Sequence, residues 1–232
     1  MGPWAGILIM TSVIVVQGLL FQDGGLLVMG WNILNMGVFS VLAGYATYSG
    51  ILRLFPKWGK ARSIAAFAAA WLSVEASAVA TAVALSVSGT FPLYLSLPSL
   101  TGVYALVGLG EGIVTAAALG LLLASRPEVL QRSQAAAGRV SASLLTIGLA
   151  ICSILVLLSP YASQAPDGLE TVAEAGGFST LVGEPVYEVF PGYSIELLGG
   201  AGYSTMAALL IGTILVFSLV SMVGQFAARA EE

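Results

Sequence analysis

Histidine is absent from this chain of 232 residues, and cysteine and charge are scarce. With one cysteine no internal disulfide can form, and without histidine the commonest nitrogen ligand for transition metals and the commonest general base are missing. Charged residues make up 9% of the chain, against roughly 25% in soluble domains. So few charges cannot cover a soluble surface of this size. The sequence therefore predicts an integral membrane protein.

Apolar runs long enough to cross a bilayer, each of about 20 residues or more, recur along the chain. They occupy residues 4–21, 26–52, 64–87, 100–124, 141–160 and 203–226. Because backbone amides in hydrocarbon need internal partners, these runs predict an all-α, polytopic fold of about six transmembrane helices. Gly30, Gly37, Gly44 and Gly50 indicate that the second span is irregular.

All eight lysine and arginine residues fall on one side of this topology. They lie between the second and third spans, between the fourth and fifth, and after the sixth: Arg53, Lys57, Lys60, Arg62, Arg126, Arg132, Arg139 and Arg229. The positive-inside rule makes that side cytoplasmic. We therefore expect a multi-pass protein of the plasma (inner) membrane of a prokaryote, with both termini cytoplasmic and an exterior loop between the last two spans.

Two exterior segments have recognisable local signals. In "QDGG", Gly24 and Gly25 allow positive φ and Asp23 can bond the local backbone, which is typical of a turn between the first two spans. In "PDGLETVAE", Asp167 is placed to cap a short helix, with Glu170 three residues on. Composition divides the chain into a membrane core (1–126), a cytoplasmic linker (127–140) and a two-helix module (141–232).

Polar residues within or beside the spans are the candidate functional groups, since each is costly in hydrocarbon unless it is satisfied. Glu75 and Glu111 either form interhelical hydrogen bonds or line a cavity. The same alternatives hold for the amides of the second span, which lie three residues apart near the exterior turn. The predicted cavity-lining residues are Gln17, Gln22, Asp23, Asn32, Asn35 and Glu111.

Catalytic motifs are absent. Without histidine there is no Ser–His dyad and no HExxH motif, and no GxxxxGK[ST] motif occurs for ATP. We predict that the chain has no catalytic residues and is not an enzyme. If ATP powers its function, another subunit hydrolyses it.

Three stretches carry a family resemblance. "GPWAGILIMTSVIVVQGLLFQDGGLLVMGWNILNMGV" and "SGTFPLYLSLPSLTGVYALVGLGEGIVTAAAL" resemble the CbiM/NikM family, the substrate-capture subunits of energy-coupling-factor transporters for cobalt and nickel. "PDGLETVAEAGGF", with a span on each side, resembles the small CbiN/NikN (PDGLE-type) component, here fused to the core. The similarity covers nearly the whole chain.

The resemblance implies a membrane subunit of an ABC-type importer that accepts Co²⁺ or Ni²⁺ from the exterior. It implies two protein partners, a transmembrane coupling subunit (CbiQ/NikQ-like) and an ABC ATPase (CbiO/NikO-like), and contact with membrane lipid. The resemblance implies no nucleic-acid partner. Nothing in the residues selects cobalt over nickel.

The metal ligands implied by the resemblance are missing. In the family the metal is held chiefly by an N-terminal Met-His segment and by another histidine just before "GPWAG", and histidine often stands where this chain has Tyr104. Carried over residue by residue, no metal ligand remains, and carboxylates and amides suit harder ions. We therefore expect no tightly bound cobalt or nickel. A truncated gene model and a degenerate paralogue both account for the difference.

Three functions follow from these observations. The leading hypothesis is metal capture for an importer, and the alternative is a structural or assembly subunit that captures nothing. An ion channel or secondary transporter accounts for Glu75 and Glu111 but leaves the PDGLE segment unexplained. We also expect the alanine-rich third span to contact the coupling subunit, which tryptophan at Ala66 or Ala69 tests.

Overall fold

The computed structural model describes residues 2–58, 60–125, 142–161, 166–181, 187, 189–195, 198–199 and 201–230. Within these residues the chain is helical and has no strand. Five described segments are long and apolar enough to span a membrane: Pro3–Phe21, Gly25–Leu54, Ala61–Val87, Leu93–Ala124 and Gly202–Gly224. The prediction of an all-α, polytopic membrane protein is confirmed.

The first half of the chain contains five α-helices with two π-helical stretches. Helix α1 (Pro3–Val16) continues as a π-helix over Gln17–Phe21. Helix α2 (Gly25–Asn32) passes through a π-helix over Ile33–Phe39 into α3 (Ser40–Leu54). The predicted irregularity of the second span thus takes the form of a π-helix that contains Gly37. Two long helices follow, α4 (Ala61–Val87) and α5 (Leu93–Ser125).

The described part of the second half contains three more α-helices. Helix α6 (Ala142–Leu158) ends in a 3₁₀ turn over Ser159–Tyr161, and the short helix α7 spans Gly168–Gly176. Two further 3₁₀ turns, Ser179–Leu181 and Pro191–Tyr193, precede the long helix α8 (Ala201–Ala230). The predicted linker at 127–140 lies outside the described residues.

The fifth predicted span, 141–160, coincides with α6. Its described apolar part, Gly148–Tyr161, is shorter than the five spanning segments. The prediction that the fourth span begins at residue 100 is wrong, since α5 begins at Leu93 and contains Pro98. Proline removes one helical hydrogen bond, but membrane helices tolerate that loss when neighbouring groups satisfy the freed carbonyl.

Contacts divide the chain into two compact units, each with residues from both halves. The first consists of Met1–Ile7, Ile33–Leu130 and Ala165–Glu184, and the second of Leu8–Asn32, Gln131–Gln164 and Pro185–Glu232. In the first unit α4 packs between α3 and α5. In the second, Phe21, at the end of the π-helix that follows α1, lies against Gly212 of α8.

Glycines bring α5 close to α4. A Cβ added at Gly108 or Gly112 would come within 2.7 Å of the ring of Trp71 or Phe67, respectively. The Trp71 indole N–H also donates to the Ala105 carbonyl at 3.0 Å. The GxxxG spacing in "GLGEG" therefore marks a helix–helix contact within the chain.

The small residues of α4 pack inside the first unit. Its buried residues are all alanines: Ala61, Ala65, Ala66, Ala78 and Ala82. The outward-facing residues of α4 include larger aliphatic side chains such as Leu72, Val79 and Val83. Because Ala66 is 5% exposed, tryptophan at that position would disrupt the fold and cannot test a contact with a coupling subunit.

The PDGLE segment forms the start of α7, as predicted. Asp167 is the N-cap and accepts from the Glu170 backbone N–H at 2.7 Å, while the Glu170 carboxylate accepts from the Asp167 N–H at 3.0 Å. This capping box satisfies two helix-end donors. Gly168 has no side chain at the point where α7 meets α5, and a Cβ there would lie 3.0 Å from Tyr104 and Val103. The motif thus caps and packs a helix.

Candidate functional site

The turn at residues 22–24 joins the first span to α2 and has an unusual backbone. Gln22, Gly24 and Gly25 have φ of 55°, 73° and 62°. Positive φ is inexpensive for glycine, so the predicted role of the two glycines is confirmed. For Gln22 the same conformation is uncommon, and such strain persists only when surrounding contacts hold it. The Gly25 N–H closes the turn by donating to the Gln22 carbonyl at 3.1 Å.

Asp23 is held by two side chains, instead of the local backbone that the sequence predicts. Its Oδ2 accepts from Gln17 Nε2 at 2.6 Å and from the Tyr193 hydroxyl at 2.5 Å. Burial raises the pKa of the Tyr193 phenol above its ordinary value, and the hydrogen bond to the Asp23 carboxylate raises it further. The phenol therefore stays protonated and keeps donating to Asp23.

Three aromatic residues from a later part of the chain contact the end of the first span: Tyr187, Phe190 and Tyr193. The Phe21 ring stacks on Tyr193 with centroids 4.6 Å apart and meets Phe190 at 5.8 Å. The Tyr187 hydroxyl donates to the Leu19 carbonyl at 2.8 Å, and the Phe190 N–H donates to the Leu20 carbonyl at 3.0 Å. The last turn of a helix leaves carbonyls without partners, so Tyr187 and Phe190 cap the first span from a distant part of the chain.

The remaining amides of the turn lie close to its backbone. The Asn32 amide covers Gly24, where an added Cβ would collide with Asn32 Nδ2. The Gln22 amide nitrogen is buried and has no hydrogen-bond partner among the described residues. Four of the six candidates, Gln17, Gln22, Asp23 and Asn32, thus belong to one polar turn.

Asn35 has different partners, because the chain changes from α- to π-helix at Ile33. It is 4% exposed and donates from Nδ2 to Thr81 Oγ1 at 2.9 Å and to the Ser77 carbonyl at 3.3 Å on α4. Its Oδ1 is buried without a partner among the described residues. The nitrogen therefore makes the interhelical bond anticipated as one alternative, while the oxygen can accept one more donor.

The two carboxylates within spans lie elsewhere. Glu111 is exposed on α5, between the two glycines that pack against α4. Glu75 on α4 has a buried Oε1 without a partner among the described residues. Across the described ranges, no group of three or more His, Cys, Asp or Glu side chains is arranged to hold a metal ion. The one carboxylate and the amides of the 22–24 turn offer oxygen ligands only.

Sequence reasoning did not identify Tyr187, Phe190 and Tyr193 as site residues. Their spacing of three in "YEVFPGY" was the available signal. Only the folded chain shows their partners, because Tyr193 and Asp23 are 170 positions apart.

Comparison with known proteins gives two matches along the chain. The family model of the CbiM cobalt uptake substrate-specific transmembrane region matches residues 1–129, and the PDGLE domain matches residues 141–229. No solved structure matches significantly.

Three relatives illustrate the similarity. The NikMN protein of Archaeoglobus fulgidus, a chain named for fused nickel transport, is 31% identical over 99% of this chain and 75% of its own length. The cobalt transport protein CbiM of Sorangium cellulosum is 30% identical over 57% of this chain and 60% of its own length. The fused nickel transport protein NikMN of Rhodobacter capsulatus is 31% identical over 59% of this chain and 44% of its own length.

The CbiM family model covers more than half of the chain. The Archaeoglobus relative extends the similarity through the PDGLE domain, so that almost the full length of this chain is matched. The chain therefore belongs to the CbiM/NikM family of metal-transport membrane proteins, with a CbiN/NikN-like PDGLE module fused at its C-terminal end.

Proposed function

We propose that this protein is the membrane subunit of an energy-coupling-factor, ABC-type importer and captures cobalt or nickel ions from the exterior. Membership of a metal-transport family supports the proposal, and one structural observation carries it. Asp23, in the CbiM region, is held by Tyr193, in the PDGLE domain. The two matched regions thus build one polar turn together.

The topology assigned to this function has both termini and all eight bases on the cytoplasmic side of the plasma membrane. The 22–24 turn and α7 then face outward, where metal is captured. The core (1–126), the linker (127–140) and the module (141–232) form a single fused subunit. Cysteines placed separately at Asp23 and Glu170 should both react with a membrane-impermeant reagent from outside. Labelling from opposite faces would contradict the topology.

Two partners complete the importer. A CbiQ/NikQ-like transmembrane coupling subunit contacts this chain in the membrane, and a CbiO/NikO-like ABC ATPase hydrolyses ATP, for which this chain has no P-loop motif. The metal is substrate, and no resident cofactor is required.

Metal accumulation in cells that express the chain with its coupling subunit and ATPase tests this function. We expect cobalt or nickel to accumulate only when all three components are present. Asp23→Asn should reduce accumulation, because the neutral amide weakens the hydrogen bonds that hold the turn. Glu174→Gln is the matched control, since it removes one negative charge from an exposed side chain of α7.

A non-capturing assembly subunit is the second candidate. The absence of histidine from the sequence favours it, because imidazole is the nitrogen ligand suited to cobalt and nickel. Under this alternative the chain co-purifies with the coupling subunit, yet cells accumulate no metal and calorimetry on the purified chain detects no nickel binding. Sub-micromolar nickel binding would exclude it.

A further inference from the structure

Four exposed cations surround the turn at residues 55–58, which joins α3 to α4. Arg53 lies in the last turn of α3, Lys57 lies in the turn itself, Lys60 is the N-cap of α4 and Arg62 follows in its first turn. They are half of the eight bases in the chain. The two segments that they flank, Gly25–Leu54 and Ala61–Val87, are both long enough to span a membrane, so the cations lie at the end of a transmembrane hairpin.

Within the described part of the chain, no carboxylate of the same unit is paired with these cations. The first turn of α4 has no acidic residue, and the four cations form no ion pair with described residues. Helix α7 packs beside Ala78 and Ala82, so its carboxylates lie about 25 Å along α4 from Ala61. The described acidic residues of this unit are Glu75, Glu111, Asp167, Glu170 and Glu174.

Exposed apolar side chains alternate with the cations. Leu54, Phe55 and Trp58 are 74%, 51% and 49% exposed, and the Phe55 and Trp58 rings meet edge-on with centroids 5.9 Å apart. The segment is ordered by backbone bonds, in which Phe55 N–H donates to Ile51 at 2.9 Å and Trp58 N–H to Phe55 at 3.3 Å. Tryptophan rings such as that of Trp58 favour the boundary between headgroups and hydrocarbon.

We propose that this basic–aromatic segment binds the phosphate headgroup of an anionic phospholipid. A short link between two spans cannot leave the membrane surface, so its cations remain within a Debye length of the headgroups. Arg53, Lys57, Lys60 and Arg62 supply the charge complementary to a phosphate. Phe55 and Trp58 lie beside the acyl chains just below it. Each base near an anionic surface strengthens binding by about fivefold.

The mixture of residues favours a lipid over an acidic protein. A protein-binding site for acidic side chains needs cations alone, whereas this segment also exposes an aliphatic and two aromatic side chains beside them. Such apolar groups gain most from contact with hydrocarbon. The inference extends beyond metal import and does not depend on it.

Native mass spectrometry of the full chain, titrated with phosphatidylglycerol or zwitterionic phosphatidylcholine, tests the proposal. We expect the chain to retain phosphatidylglycerol preferentially. The variant K57Q/K60Q should weaken that retention about 25-fold. R132Q/R139Q is the matched control, because it removes two bases from the other predicted cytoplasmic segment and should leave retention unchanged.

Quenching of tryptophan fluorescence by brominated phosphatidylglycerol locates the lipid. The fluorescence of Trp58 is the difference in emission between the parent and the Trp58→Phe variant. We expect brominated phosphatidylglycerol to quench it strongly and brominated phosphatidylcholine to quench it much less. Equal retention of the two lipids, or equal losses in the two double variants, would overturn the proposal. So would unchanged lipid retention in K57Q/K60Q together with loss of the coupling subunit, because that result identifies an acidic protein as the partner.

Discussion

The 22–24 turn takes its contacts from residues far along the chain, whereas the 55–58 turn is closed by its immediate neighbours. Tyr193 bonds Asp23 across 170 positions. At the other turn, the N–H of Trp58 donates to Phe55 and that of Ala61 donates to Trp58. Both turns join successive spans, but only the first has non-glycine backbone at positive φ and buried polar atoms to satisfy.

This difference explains why the first turn is the candidate site. A turn that closes itself keeps its shape whatever happens elsewhere in the chain. A strained turn held by a distant segment changes when that segment moves, and strained, over-determined backbone is a common feature of functional sites. The PDGLE module is therefore placed to influence the turn of the CbiM region, while the 55–58 turn remains independent of it.

The largest expected effect comes from Gly24→Ala. Gly24 and Gly89 share a φ of 73°, but an added Cβ meets Asn32 only at Gly24 and has open space at Gly89. We expect Gly89→Ala to lower the free energy of unfolding by about 1 kcal/mol through backbone strain alone. Gly24→Ala should lower it by about 3 kcal/mol, because the clash with Asn32 adds to that strain.

Thermal denaturation in detergent measures both glycine variants. Adding Asn32→Ala to Gly24→Ala removes the clash and should restore the stability to that of Gly89→Ala. If the two glycine substitutions lowered the free energy of unfolding equally, the Asn32 side chain would have moved away from the added Cβ without cost, and it would not hold the turn.

A smaller effect is expected for Tyr193→Phe. This change removes the hydroxyl that bonds Asp23 but keeps the ring that stacks on Phe21, so the loss should be about 1 kcal/mol. Hydrogen–deuterium exchange should rise in residues 17–23 and stay constant in residues 53–58. Tyr203→Phe, at a side chain that is 78% exposed, is the control and should change neither region. Increased exchange in both turns would contradict their independence.

The smallest effect is optical and concerns one of eight tyrosines. The unfolded phenol has a pKa near 10.0 and the folded Tyr193 has a higher one. Its contribution to stability is therefore fully present below pH 10.0 and is lost only as the pH rises through the folded value. Phenolate absorbance of the parent and of Tyr193→Phe should coincide near pH 10.0, where exposed tyrosines ionise. A deficit in the variant at that pH would show that Tyr193 is not held protonated.

Local signals in the sequence were enough for most of the fold. Apolar run length identified the spanning helices, and the order of Asp167 and Glu170 identified the cap of α7, because both depend on neighbouring residues. The start of α5 was misplaced, because the helix begins at Leu93 and continues through Pro98, a residue that helix interiors rarely contain. The expected contact between α4 and a coupling subunit stays a prediction, but composition could not show that five of its alanines are already covered within the chain.

The site was accessible from the sequence only in part. Gly24 and Gly25 indicated the turn through their own conformational preferences. Tyr193 carries no such signal, because its role depends on a contact across most of the chain. The separate surroundings of Asn32 and Asn35 also escaped prediction, since helical spacing assumes an α-helix where the chain is partly π-helical.

The π-helix over Ile33–Phe39 has a consequence for how chain length can vary. In an ordinary α-helix, losing one residue turns every later side chain by about 100°, so a span rarely survives such a change. A π-helix already holds extra residues, because each N–H bonds five residues back. A homologue with a one-residue deletion here returns to regular α-helix and keeps the later faces in phase. We therefore expect length differences in the second span to fall in this stretch and not in α4, which is α-helical throughout.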